Sequence, residues 1–77
     1  MYDLIIETSR LLYQNKTEEG NQKVNEVITH LLNYLNGQPQ EKVCAINNVL
    51  TQALMAMEGN DSVLLADILR FELLPLL

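Results

Sequence analysis

Apolar residues recur three and four positions apart along most of this chain, and the strict alternation of a half-buried strand is absent. Two plain turn signals, Gly37-Gln38-Pro39 and Gly59-Asn60-Asp61, interrupt the pattern, and a weaker break lies between Asn15 and Gly20. Four helical segments follow, at about 3–15, 17–36, 39–58 and 61–74.

In the first segment, with Asp3 as the expected N-cap, a turn of roughly 100° per residue puts Leu4, Ile5, Leu11 and Leu12 on one face. Ile6 and Tyr13 flank that face. Asp3, Glu7, Arg10 and Gln14 lie opposite, and the Glu7/Arg10 spacing suits a weak surface ion pair. The second segment carries Val24, Val27, Ile28, Leu31, Leu32 and Leu35 on its apolar face. Thr17 and Gly20 project to the same side. Either Gly20 admits a neighbouring backbone, or it marks a frayed start. No proline separates the first two segments, so one bent helix also fits the pattern.

The third segment begins at Pro39, a residue suited to the first helical position, and Gly59 is expected to stop it. Val43, Ile46, Val49, Leu50, Ala53, Leu54 and Met57 form its apolar face. Cys44 and Met55 point toward the polar side, with Cys44 partly covered by a neighbouring helix.

The fourth segment is capped by Asp61 or Ser62 and should end near Leu74, because Pro75 disfavours helical geometry in the residue before it. Its apolar residues make two faces. Leu64, Ile68 and Phe71 form one; Leu65, Leu69 and Leu73 form the other, with Glu72 between them. A helix apolar around most of its circumference is buried on most sides. The expected fold class is therefore all-α: a small antiparallel bundle of three to four helices, forming a single domain over residues 1–77.

Size sharpens that expectation. A 77-residue chain buries only about 60% of its unfolded surface, so small domains commonly draw on disulfides, metals or partner subunits. Cys44 is the sole cysteine and His30 the sole histidine, which excludes an intrachain disulfide and a Cys/His zinc cluster. Oligomerisation or close helix packing remains.

The formal net charge of −5, with scattered basic residues, argues against nucleic acid and against an anionic membrane surface. No apolar run is long enough for a membrane span, and Asp3 and Glu7 stand where a signal peptide would be basic. A cytoplasmic location is expected.

Chemistry-bearing motifs are absent. The sequence contains no Gly-rich phosphate loop, no H-E-x-x-H and no serine-nucleophile signature. No catalytic, metal-binding or cofactor-binding residue is assigned, and no cofactor is expected. Glu72 reads as a structural ion pair or an exposed edge. His30 stands four residues after Glu26, a spacing that allows a local hydrogen bond. The frequent asparagines, Asn15 and Asn60 among them, read as solvated surface and helix ends.

The candidate site is an apolar contact surface on the C-terminal helix, made by Leu65, Leu69, Leu73, Leu76 and Leu77. It would meet a second subunit or a protein partner, or fold back on its own core, or continue into a longer natural chain. The run EGNDSVLLADILRFELLPLL resembles the C-terminal end of small, uncharacterised bacterial helical proteins. In size, acidity and helix count the chain is similar to small bacterial export chaperones, including flagellar ones. The first likeness implies no particular activity, the second is one of architecture alone, and neither assigns any residue a role. The expected function is a non-catalytic interaction module: a homodimer, adaptor or chaperone-like protein. A bundle that binds a small apolar ligand is the alternative, with Gly20, Ala45, Ala53 and Ala56 as the small residues that would leave a cavity.

Overall fold

Each of the three connections between helices turns on one residue in the left-handed region of backbone space. In a computed structural model describing residues 1–77, these are Asn15 (φ 61°), Gly37 (φ 83°) and Asn60 (φ 54°). They separate α1 (Tyr2–Tyr13), α2 (Thr17–Tyr34), α3 (Gln40–Glu58) and α4 (Ser62–Asp67). Beyond α4 the helix continues as a π segment, Ile68–Leu73, and a 3-10 turn, Leu74–Leu76. The chain is all-α, and α1 and α2 are two helices rather than one bent one.

Asparagine tolerates the left-handed conformation better than most residues, because its short polar side chain bonds locally. At the end of α1, the Asn15 N–H donates to Leu12 O and the Lys16 N–H to Leu11 O. At the end of α3, the Asn60 N–H donates to Met57 O and the Asp61 N–H to Ala56 O. Both sets are Schellman closures, which satisfy carbonyls left over at a helix end. Gly59, expected as the stop, stays right-handed at φ −82°, and Asn60 makes the turn instead. Asp61 then begins the next helix, its Oδ1 accepting from the Leu64 N–H at 3.0 Å. Pro39 sits one position earlier than expected. Its ψ of 148° makes it the N-cap of α3, and Met1, not Asp3, precedes α1.

Packing is unequal around the bundle. α1 lies against α2 and against the C-terminal helix, while α3 packs on the opposite side of the C-terminal helix. α2 and α3, consecutive in sequence, are not close-packed neighbours. That explains Leu32, expected in the core but 64% exposed. It lies roughly 100° around α2 from the fully buried Leu31, on a flank that no helix covers.

Small residues let α1 and α2 approach closely. Gly20 is buried, and a Cβ built there would stand 2.5 Å from Leu12 Cδ2. Thr8 and Ser9 are fully buried between Ile5 and Leu12. Their hydroxyls donate to Leu4 O at 2.6 Å and Ile6 O at 2.7 Å, so neither brings an unpaired polar group inside. The expected Glu7–Arg10 pair does not form; the ion pair present joins Lys23 and Glu26 at 3.5 Å. Glu26 is thereby engaged by Lys23, and His30 is exposed.

The C-terminal helix departs most from the expected α-helix. Leu74 N–H bonds back to Leu69 O, five residues away. A π turn of this kind stacks residues five apart. Leu73 thus lies under Ile68, and Leu74 under Leu69, and all four are buried. In an unbroken α-helix, Leu74 would sit about 140° around from Leu69 and face solvent. The widened turns precede Pro75, which has no N–H to offer and whose ring crowds the carbonyl four residues back. Leu74 keeps helical dihedrals (φ −54°, ψ −44°) and Pro75 enters the 3-10 turn, so the helix does not stop before the proline.

Candidate functional site

The face proposed from sequence lies inside the molecule. Leu65, Leu69 and Leu73 are 1%, 1% and 0% exposed within their own chain. Leu76 and Leu77 are half-buried and packed against the same core. These five residues fold back on the bundle, and none is free to meet another molecule as a continuous face. The reason is position: the C-terminal helix runs between α1 and α3, so both neighbours draw on its leucines.

The other face remains partly open. Leu64 is 47% exposed and Phe71 66% exposed, while Ile68 between them is buried. Beside Leu64, on α3, Met55 is 66% exposed. α3 and the C-terminal helix diverge here to leave an open groove of about 460 Å³. Gln52, Met55, Ala56 and Gly59 form one wall, at the i, i+3, i+4 and i+7 positions of α3. Asp61, Leu64, Ile68 and Glu72 form the other. Four of these eight lining residues are apolar, and the only charged ones, Asp61 and Glu72, are both acidic and lie toward opposite ends.

Why the groove stays open follows from the sequence. Ala56 and Gly59 are too small to fill it, and Met55, which lines it, stays mostly in solvent. The Asn60-Asp61 turn closes one end and sets the spread of the two helices through the paired caps described above. Glu72 makes no ion pair and is exposed. Cys44, expected to be partly covered, is exposed as well.

A second cluster lies where α1 meets the C-terminal helix. The Tyr13 hydroxyl donates to Asp67 Oδ1, and the Arg70 guanidinium lies over the Tyr13 ring at 5.6 Å. Arg70 Nε is buried without a hydrogen-bond partner. The hydrogen bond to Asp67 is the main reason the Tyr13 phenol is held above its ordinary pKa; desolvation and the Asp67 charge add to the rise, and Arg70 opposes it. The cluster has no adjoining cleft, and it latches the C-terminal helix to α1. A matching contact, Lys42 over the Tyr34 ring at 5.3 Å, bridges the ends of α2 and α3.

No group of three or more His, Cys, Asp or Glu side chains is placed to hold a metal ion. No helix is long and apolar enough to cross a membrane.

The architecture defines a small four-helix protein whose distinctive surface is an open apolar groove with acidic ends. The chain belongs to the DUF8042 family, described as a domain of unknown function, whose model matches residues 1–77. Neither the curated proteins nor the solved structures yielded a match.

Proposed function

We propose that this protein is a non-catalytic helical interaction module that receives a partner helix in the groove between α3 and the C-terminal helix. The observation that carries the reading is the pairing of exposed Met55 and Leu64 across a groove floored by Ile68 and Ala56. Large apolar side chains facing solvent around a concavity are characteristic of docking sites. Methionine adapts to varied apolar shapes, which suits a surface that accepts a helix.

The groove wall on α3 runs from Gln52 to Gly59, about 10 Å at ~1.5 Å per residue, the length of two helical turns. That matches the i, i+3 or i+4, i+7 anchors by which amphipathic helices enter grooves. The trough is open along its length. A small apolar ligand is normally enclosed on most sides, so the shape favours a helix over the ligand-binding alternative.

The test is titration of the intact 77-residue chain with synthetic amphipathic helical peptides, followed by NMR. Shifts should concentrate at Met55, Leu64 and Ile68. Leu64→Glu should abolish them with helicity unchanged by circular dichroism. Peptide-induced shifts confined to α1 and α2, or undiminished in Leu64→Glu, would overturn the reading.

A further inference from the structure

The occupant's chemistry can be narrowed from the distribution of charge. Residues 39–77 carry five acidic side chains (Glu41, Glu58, Asp61, Asp67, Glu72) and two basic ones (Lys42, Arg70), a net charge of −3. Both cations are directed at tyrosine rings, Lys42 at Tyr34 and Arg70 at Tyr13, and neither lines the groove. The only charged groups lining the groove are carboxylates, Asp61 near its closed end and Glu72 toward the other.

We infer that the occupant is a cationic amphipathic helix of a different protein, with an apolar face on Met55, Leu64 and Ile68 and a basic residue near each end. This rests on the proposed helix-receiving role. Asp61 and Glu72 are eleven residues apart, or about 16 Å along a helix at ~1.5 Å per residue. Lysines or arginines flanking the apolar anchors at that separation meet both carboxylates. A second copy of this chain fits poorly. Its net charge is −5, and a symmetric dimer through this groove would bring the four acidic groups of two rims together.

The inference is tested with three synthetic peptides that share one leucine face and carry lysines, glutamines or glutamates on the other. A scrambled lysine peptide, equally charged but not amphipathic, controls for bulk attraction. Binding to the intact chain is read by fluorescence anisotropy, and self-association by light scattering. The lysine peptide should bind about tenfold tighter than the glutamate peptide at low salt, and the difference should shrink as salt rises. Glu72→Lys should bring that preference to within about threefold, while the scrambled peptide binds weakly throughout. Equal affinity for all three amphipathic peptides, still lost in Leu64→Glu, would overturn the charge inference and leave the helix-receiving role standing. Dimerisation that the lysine peptide cannot displace would also overturn it. No binding by any amphipathic peptide would overturn both readings.

Discussion

The α1–α2 seam and the α3–C-terminal seam both use small residues, to different ends. In the first, Gly20, Thr8 and Ser9 remove bulk where the helices meet and Leu12 packs against Gly20, while the flank of the seam is an open, largely polar hollow of about 470 Å³ lined by Glu7, Leu11, Glu19, Gln22, Lys23 and Glu26. In the second, Ala56 and Gly59 also remove bulk, but no large side chain moves in. Small residues therefore do not by themselves make a tight contact. They make one when a large neighbour is aimed at the gap. When the neighbours, here Met55 and Leu64, are aimed outward, the same small residues leave a groove.

The largest effect separates the inner and outer faces of the C-terminal helix. Leu69→Glu places an unpaired carboxylate in a fully buried site and removes core packing, at a cost of several kcal/mol. A domain this small has about 5–15 kcal/mol in total. The variant should lose most of its helical circular dichroism at 25 °C. A folded variant that merely dissociated would place that face at an interface rather than in the core.

Next in size is the closed seam. Gly20→Ala gains helix propensity of about 0.5–1 kcal/mol, but its Cβ would stand 2.5 Å from Leu12 Cδ2. Leu12 is fully buried and both its Cδ2 and its Cγ, at 2.9 Å, would have to move, so overpacking of about 1–3 kcal/mol should win. Urea denaturation should show a lower midpoint. A raised midpoint would mean that the α1–α2 contact is looser than described.

The latch between α1 and the C-terminal helix comes third. Tyr13→Phe removes one exposed hydrogen bond, worth about 0.5–1 kcal/mol. Because the folded pKa of Tyr13 is raised, its contribution is complete below the unfolded value and is lost as pH climbs through the folded one. The gap between the melting curves of wild type and Tyr13→Phe should therefore be constant below about pH 9 and narrow as pH rises past the ordinary phenol value of about 10. A gap that does not narrow above that value would detach the effect from the Asp67 bond.

The smallest stability effect belongs to the open seam. Met55→Gln should move the urea midpoint by no more than about 0.5 kcal/mol equivalent, since the side chain is mostly in water. A large loss would show that Met55 contributes to the core and that the groove is shallower than its lining implies.

Much of this was legible in the residue pattern, and the failures have physical causes. The Gly37-Gln38-Pro39 and Gly59-Asn60-Asp61 signals located two turns, and the helical periodicity located the four segments. Thr8 and Ser9 count as polar on any scale, yet their hydroxyls are satisfied by the preceding turn, so they enter the core without penalty. Asn15 and Asn60 read as helix ends, but the stop after α3 reads as Gly59, whereas asparagine just past an apolar helical run can itself take the left-handed position. The C-terminal helix was the hardest case. Leucine lies on both of its faces, so composition cannot say which face turns inward. A π segment also stacks residues five apart, which a period of ~3.6 does not detect. Hence the pattern separates Leu64 and Phe71 from Leu65, Leu69 and Leu73 but cannot say which of the two faces is buried in the chain's own core.

The π segment also bears on how this chain tolerates changes in length. It holds one more residue than an α-helix closing the same turn. Deleting Phe71 should let the turn relax to α-helix while Leu73 and Leu74 keep their aim at the core. The same deletion within α2 would rotate every later side chain by roughly 100° and pull Leu31 out of register. The chain therefore carries a spare residue at one place, where a single-codon loss is absorbed by the winding of the helix rather than by its packing.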